Sequence, residues 1–124
     1  MRWKAADSPR RRVTVRLGVL AAFCCAVSAQ AADRFYVYNM TTSTEFTAIY
    51  LAPAGTQAWG PNQTLNDKDH SLETSERLPV TGIAHGRFDV RIQDSKGRTC
   101  IKRGVDLTRE TTFDIRDADL SGCR

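Results

Sequence analysis

Histidine, cysteine and long hydrophobic runs are all scarce in these 124 residues. There are two histidines, His70 and His85, and no GxSxG, Walker, HExxH or CxxC pattern. The spacings that announce hydrolytic, nucleotide-binding, zinc-protease or thiol-redox chemistry are therefore missing. Nothing nominates a Ser or Cys triad, in which histidine must stand beside both a nucleophile and an orienting acid. The sequence leads us to expect a protein without catalysis or a resident cofactor. The longest uncharged apolar run, residues 17–27, has 11 residues, well short of the ~20 that a membrane-spanning helix needs. No window of a dozen residues keeps a helical period.

What that apolar run does have is the surroundings of an export signal. Residues 1–16 carry six basic side chains (Arg2, Lys4, Arg10, Arg11, Arg12, Arg16) against one acid, Asp7, and Ala29-Gln30-Ala31 follows the run. Small residues at −3 and −1 are what a signal peptidase accepts. Residues 1–31 are read as a cleaved signal peptide and residues 32–124 as one mature domain. Arg11-Arg12 leaves twin-arginine export open beside the general route.

Removing the leader changes the electrostatics. The chain holds 18 basic and 14 acidic residues; six bases and one acid lie ahead of Ala32, leaving 12 against 13 and a net charge of −1. Nucleic acid and anionic membranes are attracted by a clustered positive face, which this balance does not provide. We expect no nucleic-acid partner and no membrane span after cleavage.

Of four cysteines, Cys24 and Cys25 lie in the leader, and Cys100 and Cys123 remain. In an oxidising compartment, an even pair in a domain of 93 residues reads most simply as a disulfide. Closing such a loop stabilises by roughly 3 kcal/mol in the chain-entropy model, which matters in so small a core.

The dominant period is two. Residues 87–93 (Arg-Phe-Asp-Val-Arg-Ile-Gln) alternate without a break, placing Phe88, Val90 and Ile92 on one face. Asp94-Ser95-Lys96-Gly97 supplies a turn, and residues 98–103 return with Cys100 and Ile101 on opposite faces. Residues 34–40, 46–51, 75–80 and 111–116 carry the β-branched and aromatic residues of further strands, with a short one at 105–107. The expected fold is all-β: a small antiparallel β-sandwich or partly open barrel of six to seven strands with one disulfide.

Between the strands lies an irregular stretch, residues 53–74, of a length that is often functional. It holds Trp59, the one tryptophan beyond the leader, among Gln57, Asn62 and Gln63. A loop tryptophan with amide neighbours can stack a small ligand or anchor a protein partner. The competing role is structural: Trp59 plugs one end of the sandwich, and Gln57, Asn62 and Gln63 carry the binding. The same stretch contains Asn66-Asp67-Lys68-Asp69-His70. Asp67 and Asp69 could offer oxygen to a metal ion and His70 nitrogen; otherwise these residues cap turns in a solvated loop. Asp114, Asp117 and Asp119 form a second acidic patch, suited to keeping a sheet edge soluble.

Several short motifs fall in a familiar order. Asn39 precedes Thr41-Thr42; then come Ile49-Tyr50-Leu51-Ala52-Pro53-Ala54-Gly55, Trp59-Gly60-Pro61-Asn62 with Leu65, Phe88-Asp89-Val90-Arg91 with Asp94 and Gly97, and Gly104-Val105-Asp106-Leu107. Taken together, residues 35–115 resemble a family of small, uncharacterised exported β-rich proteins of Gram-negative bacteria. The resemblance implies a β-rich fold and a periplasmic or secreted location, and no reaction. Many members place a cysteine right after Asp-Leu, where this chain has Thr108. The resulting expectation is an exported non-catalytic binding or interaction module of the bacterial envelope, its partner an unknown protein or small ligand. The alternative is a periplasmic metal-binding protein using Asp67, Asp69 and His70. Asn39-Met40-Thr41 and Asn62-Gln63-Thr64 are formal glycosylation sequons that carry little meaning in a bacterial protein.

Overall fold

The computed structural model describes Gly18 and residues 33–124. Contacts divide the chain into two units, Met1–Gln30 and Ala31–Arg124. The expected signal peptide, its cleavage point, Cys24 and Cys25 lie outside the described residues.

Among the described residues there are six strands: β1 (Phe35–Asn39), β2 (Phe46–Pro53), β3 (Arg77–Val80), β4 (Arg87–Asp94), β5 (Thr99–Asp106) and β6 (Thr112–Ile115). They form two three-stranded sheets, β3-β1-β6 and β2-β4-β5. The architecture is all-β and does not close into a barrel. Two short 3₁₀ turns, Gln63–Asn66 and Asp117–Leu120, complete the regular structure. No helix among the described residues is long and apolar enough to cross a membrane.

Alternation builds the core. Phe35 and Val37 of β1, Leu78 and Val80 of β3, and Phe113 and Ile115 of β6 meet Ile49 and Leu51 of β2, Val90 and Ile92 of β4, and Val105 of β5. Phe88 only packs against the margin of this cluster, beside an irregularity in the β4–β5 pairing. Two residues of β5, Arg103 and Gly104, face the single residue Asp89, between the pairs Phe88–Val105 and Val90–Lys102. Gly104 has φ +67° there, a conformation cheap for glycine and strained for most other residues. This bulge joins the separately expected strand at 105–107 to β5 as one element.

The β4–β5 hairpin turns where expected. Asp94, itself buried, accepts hydrogen bonds from the amides of Lys96 (3.0 Å) and Arg98 (2.9 Å) and from Arg98 Nε (2.7 Å). Burial pushes the Asp94 carboxyl up, but the Arg98 amide and guanidinium outweigh it and hold the pKa low. One pairing departs from an all-antiparallel plan: β1 runs parallel to β6 and antiparallel to β3. The first strand thus sits at the centre of its sheet.

Three Asx-x-Thr triplets fold into one local clasp. Asn39 Oδ1 accepts from the amide (3.0 Å) and hydroxyl (2.6 Å) of Thr41, Asn62 Oδ1 from those of Thr64 (3.1 and 2.9 Å), and Asp106 Oδ1 from those of Thr108 (3.0 and 2.6 Å). Both formal sequons are therefore clasps. Asn39 is wholly buried and also donates from Nδ2 to the carbonyls of Thr44 (2.7 Å) and Leu72 (3.0 Å).

The C-terminus is pinned back onto β5. Cys100 and Cys123 stand at disulfide distance, and Thr99 and Arg124 exchange backbone hydrogen bonds of 2.7 and 2.9 Å. The acidic residues expected to solubilise an edge have defined partners: Asp114 pairs with Arg116, Asp117 accepts from Thr42, and Asp119 pairs with Lys102.

Candidate functional site

The sheet formed by β2, β4 and β5 has a second face, turned away from the core. Register puts Tyr50 of β2 opposite Arg91 of β4, and Arg91 opposite Ile101 of β5. Side chains two apart share a face, so Asp89 and Arg103 stand beside them.

The chain beyond β2 folds back over this face. Gly55 donates its amide to Asp89 Oδ2 (3.0 Å), and the Gly60 amide donates to the Leu51 carbonyl (2.9 Å). Trp59 is thereby laid over the sheet, its ring centroid 4.9 Å from Arg91 Cζ, while the Tyr50 centroid lies 4.6 Å from the same atom. A guanidinium over aromatic faces is attracted by their quadrupoles, by about 0.5–1 kcal/mol at an exposed site. Two aromatic rings thus lie within cation–π distance of one guanidinium. Among the described residues Arg87, Arg98, Arg103 and Arg116 each have a carboxylate partner; Arg91 has none, and neither do Arg34, Arg77, Arg109 and Arg124.

Asp89 holds the frame. Only 3% exposed, it receives the Gly55 amide, the Gly104 amide (3.1 Å) and Arg103 Nη1 (3.4 Å). The Gly55 amide above all, then the Gly104 amide, keep its carboxyl below the usual carboxylate range. One buried acid therefore anchors both the loop turn and the β5 bulge. Between them lies an open hollow of about 350 Å³ lined by Thr56, Gln57, Trp59, Arg91, Ile101 and Arg103.

Another hollow, of about 460 Å³, lies beside β1 and β3, lined by Phe35, Tyr36, Val80 and Ile83 among others. Its Asp33 carboxylate is already engaged by His85 Nε2 at 2.6 Å. A third, beside β6, carries Glu110 and Asp114 without a basic side chain. Arg77 lies over the Tyr36 ring at 4.7 Å with that one aromatic partner, whereas the hollow at Arg91 has two rings on one guanidinium.

Of the residues singled out from sequence, the structure brings Gln57 and Trp59 into this hollow and gives Asn62 and Gln63 other work. Asn62 Oδ1 accepts from the Ile49 amide (3.0 Å) as well as from Thr64, so Asn62 seals the free edge of β2. Gln63, 2% exposed, exchanges hydrogen bonds of 3.0 Å with the backbone of Thr81 and accepts from Asn66 Nδ2. The polar groups of both are occupied within the fold. Trp59 does not plug an end of the sandwich: it is half-buried on the outer face, outside the core cluster, because Arg91 offers it a flat partner there.

The loop of Asp67, Asp69 and His70 is turn chemistry. Asp67 Oδ2 accepts from the Asp69 amide (3.0 Å), and His70 follows with φ 54°. Among the described residues no group of three or more His, Cys, Asp or Glu side chains is placed to hold a metal ion.

Sequence reasoning missed Tyr50, Arg91 and Arg103. Strand periodicity already assigned Arg91 to the outward face; what the sequence withheld was the register that sets it against Tyr50 and the fold-back that sets Trp59 over it. Compared with known proteins, the chain matches no family model, no curated protein and no solved structure.

Proposed function

We propose that residues 32–124 form an exported, non-catalytic binding module of a bacterial envelope, periplasmic or secreted, whose contact surface is the hollow around Arg91. One observation carries the reading: a guanidinium held by Tyr50 and Trp59 at 4.6 and 4.9 Å, without a carboxylate partner, beside an open hollow. Aromatic and arginine side chains dominate binding hot spots because they combine large contact area with directional donors. The leader-like residues 1–31 and the ordered motifs across residues 35–115 support the envelope location and kinship with the exported β-rich family.

The test is backbone amide chemical-shift mapping of the isotopically labelled protein against small-molecule fractions of an envelope extract. Shifts should gather on Gln57, Trp59, Arg91 and Ile101 and vanish in Arg91→Ala. Shifts confined to β1 and β6, or none from any fraction, would refute the assignment of the surface.

A further inference from the structure

We propose that the hollow at Arg91 takes a carboxylate-bearing saccharide, the carboxylate seated on the guanidinium edge. This rests on the hollow being the contact surface and adds the chemistry of what enters it.

Charge comes first. Arg91, Arg103 and Asp89 are the charged groups of the frame, and Asp89 is spent on the Gly55 and Gly104 amides and on Arg103. What is left over is positive, in a domain whose net charge is −1 beyond the leader. The positive spot is therefore local, placed by the fold.

Geometry then narrows the anion. With Tyr50 and Trp59 beside it and no carboxylate partner, Arg91 keeps the planar fork of donors that matches a carboxylate bidentately. The rings also remove the freedom that an exposed arginine loses on binding, so part of the ordering cost is already met by the fold. Ordering of this kind favours a ligand recognised by orientation over a diffuse polyanion.

The rest of the wall describes the ligand's body. Trp59 and Ile101 offer apolar surface, and Gln57 offers an amide that is both donor and acceptor, while the Thr56 hydroxyl already donates to the Pro53 carbonyl and has only acceptor capacity to spare. A sugar ring presents that mixture, with C–H groups on its faces and hydroxyls at its rim. A volume of about 350 Å³ lies at the small end of ligand pockets, the scale of a short saccharide.

Isothermal titration of the full chain with digalacturonate, with its uncharged counterpart digalactose, and with inorganic phosphate decides the matter. Digalacturonate should bind at least tenfold more tightly than digalactose, and phosphate should show no comparable binding. Arg91→Gln should lower digalacturonate affinity at least tenfold and Arg91→Lys should recover only part of it, with thermal unfolding checked to show that both variants are folded. Equal binding of the acidic and neutral disaccharides, equal binding of phosphate, unchanged affinity in Arg91→Gln, or no heat from digalacturonate would each overturn the proposal. In the same samples amide shifts separate the two levels. Envelope-fraction shifts at Gln57 and Trp59 without digalacturonate binding would reject the ligand class and keep the surface, whereas shifts away from the hollow would reject the surface itself.

Discussion

Replacing Asn39 by Ala should cost this domain about 3–4 kcal/mol. The side chain is fully buried at the end of β1 and makes four hydrogen bonds. Not all four leave an orphan. The Thr44 carbonyl keeps the Thr41 hydroxyl at 3.1 Å, and the Leu72 carbonyl keeps the Phe46 amide at 3.0 Å. The Thr41 amide is different, because Asn39 Oδ1 at 3.0 Å is its acceptor. A buried donor left unpaired costs about 1–3 kcal/mol, and each of the other bonds contributes about 0.5–1 kcal/mol net. The sum is a large part of the 5–15 kcal/mol that holds a small domain folded. Urea unfolding followed by far-ultraviolet circular dichroism, with an unchanged m-value to show that the loss lies in the native state, is the assay. Asn39→Asp sharpens it: the acceptor toward Thr41 survives, but an oxygen now faces the Thr44 and Leu72 carbonyls. Its loss should equal or exceed that of Ala and grow as the carboxyl ionises. A loss below about 1 kcal/mol in Asn39→Ala would show that the clasp is not what ties β1 to the segments bearing Thr44 and Leu72.

Four further outcomes are expected. Trp59→Ala should cost about 1 kcal/mol, the scale of an exposed cation–π contact; a loss of 3–5 kcal/mol by thermal unfolding, typical of a deleted core aromatic, would place the ring in the core. Cys100→Ser should lower stability by about 2–4 kcal/mol, since the cross-link joins residues separated by 23 positions, and thiols open to a reagent in the unreduced folded protein would contradict it. The hydrogen bond that His85 Nε2 donates to the Asp33 carboxylate, with a further one from Nδ1 to the Leu107 carbonyl, raises the His85 pKa above its ordinary 6.5. Its stabilisation is therefore full below that value and lost as the pH climbs through the folded one, so Asp33→Asn should lower the melting temperature near pH 5 and leave it unchanged near pH 9. Mass spectrometry of protein from its native compartment should find an N-terminus at Ala32, and an intact Met1 would reject export by a cleaved signal.

How far the sequence could be read depended on whether a feature is local. The alternation of residues 87–93 and the Asp94–Gly97 turn are local, so β4, its hairpin and the inward positions of Val90 and Ile92 follow from period and turn chemistry. The disulfide distance between Cys100 and Cys123 followed from there being two thiols beyond the expected leader. Pairing between distant segments is not local: nothing in residues 35–39 and 112–115 says that they run side by side and parallel. The hollow failed to appear for the same reason. Tyr50, Trp59 and Arg91 belong to three segments, and a single buried acid on the Arg91 strand, Asp89, ties the Trp59 loop to it by capturing the Gly55 amide. Asn62 and Gln63 show the same limit, because a polar side chain in a loop looks alike from sequence whether it faces solvent or stitches backbone, and these two stitch backbone.

The central place of β1 sets an order on folding. Its two neighbours are β3 and β6, so the earliest of the six strands to leave the ribosome cannot complete its ladder until the last has been made. Sheets assembled from such separated segments form slowly, because loop closure must precede the contacts that reward it. Until then one edge of β1 stays unpaired, although β3 can already lie against the other. Fastening β6 beside β1, and then the chain end to β5, is the step that closes the domain.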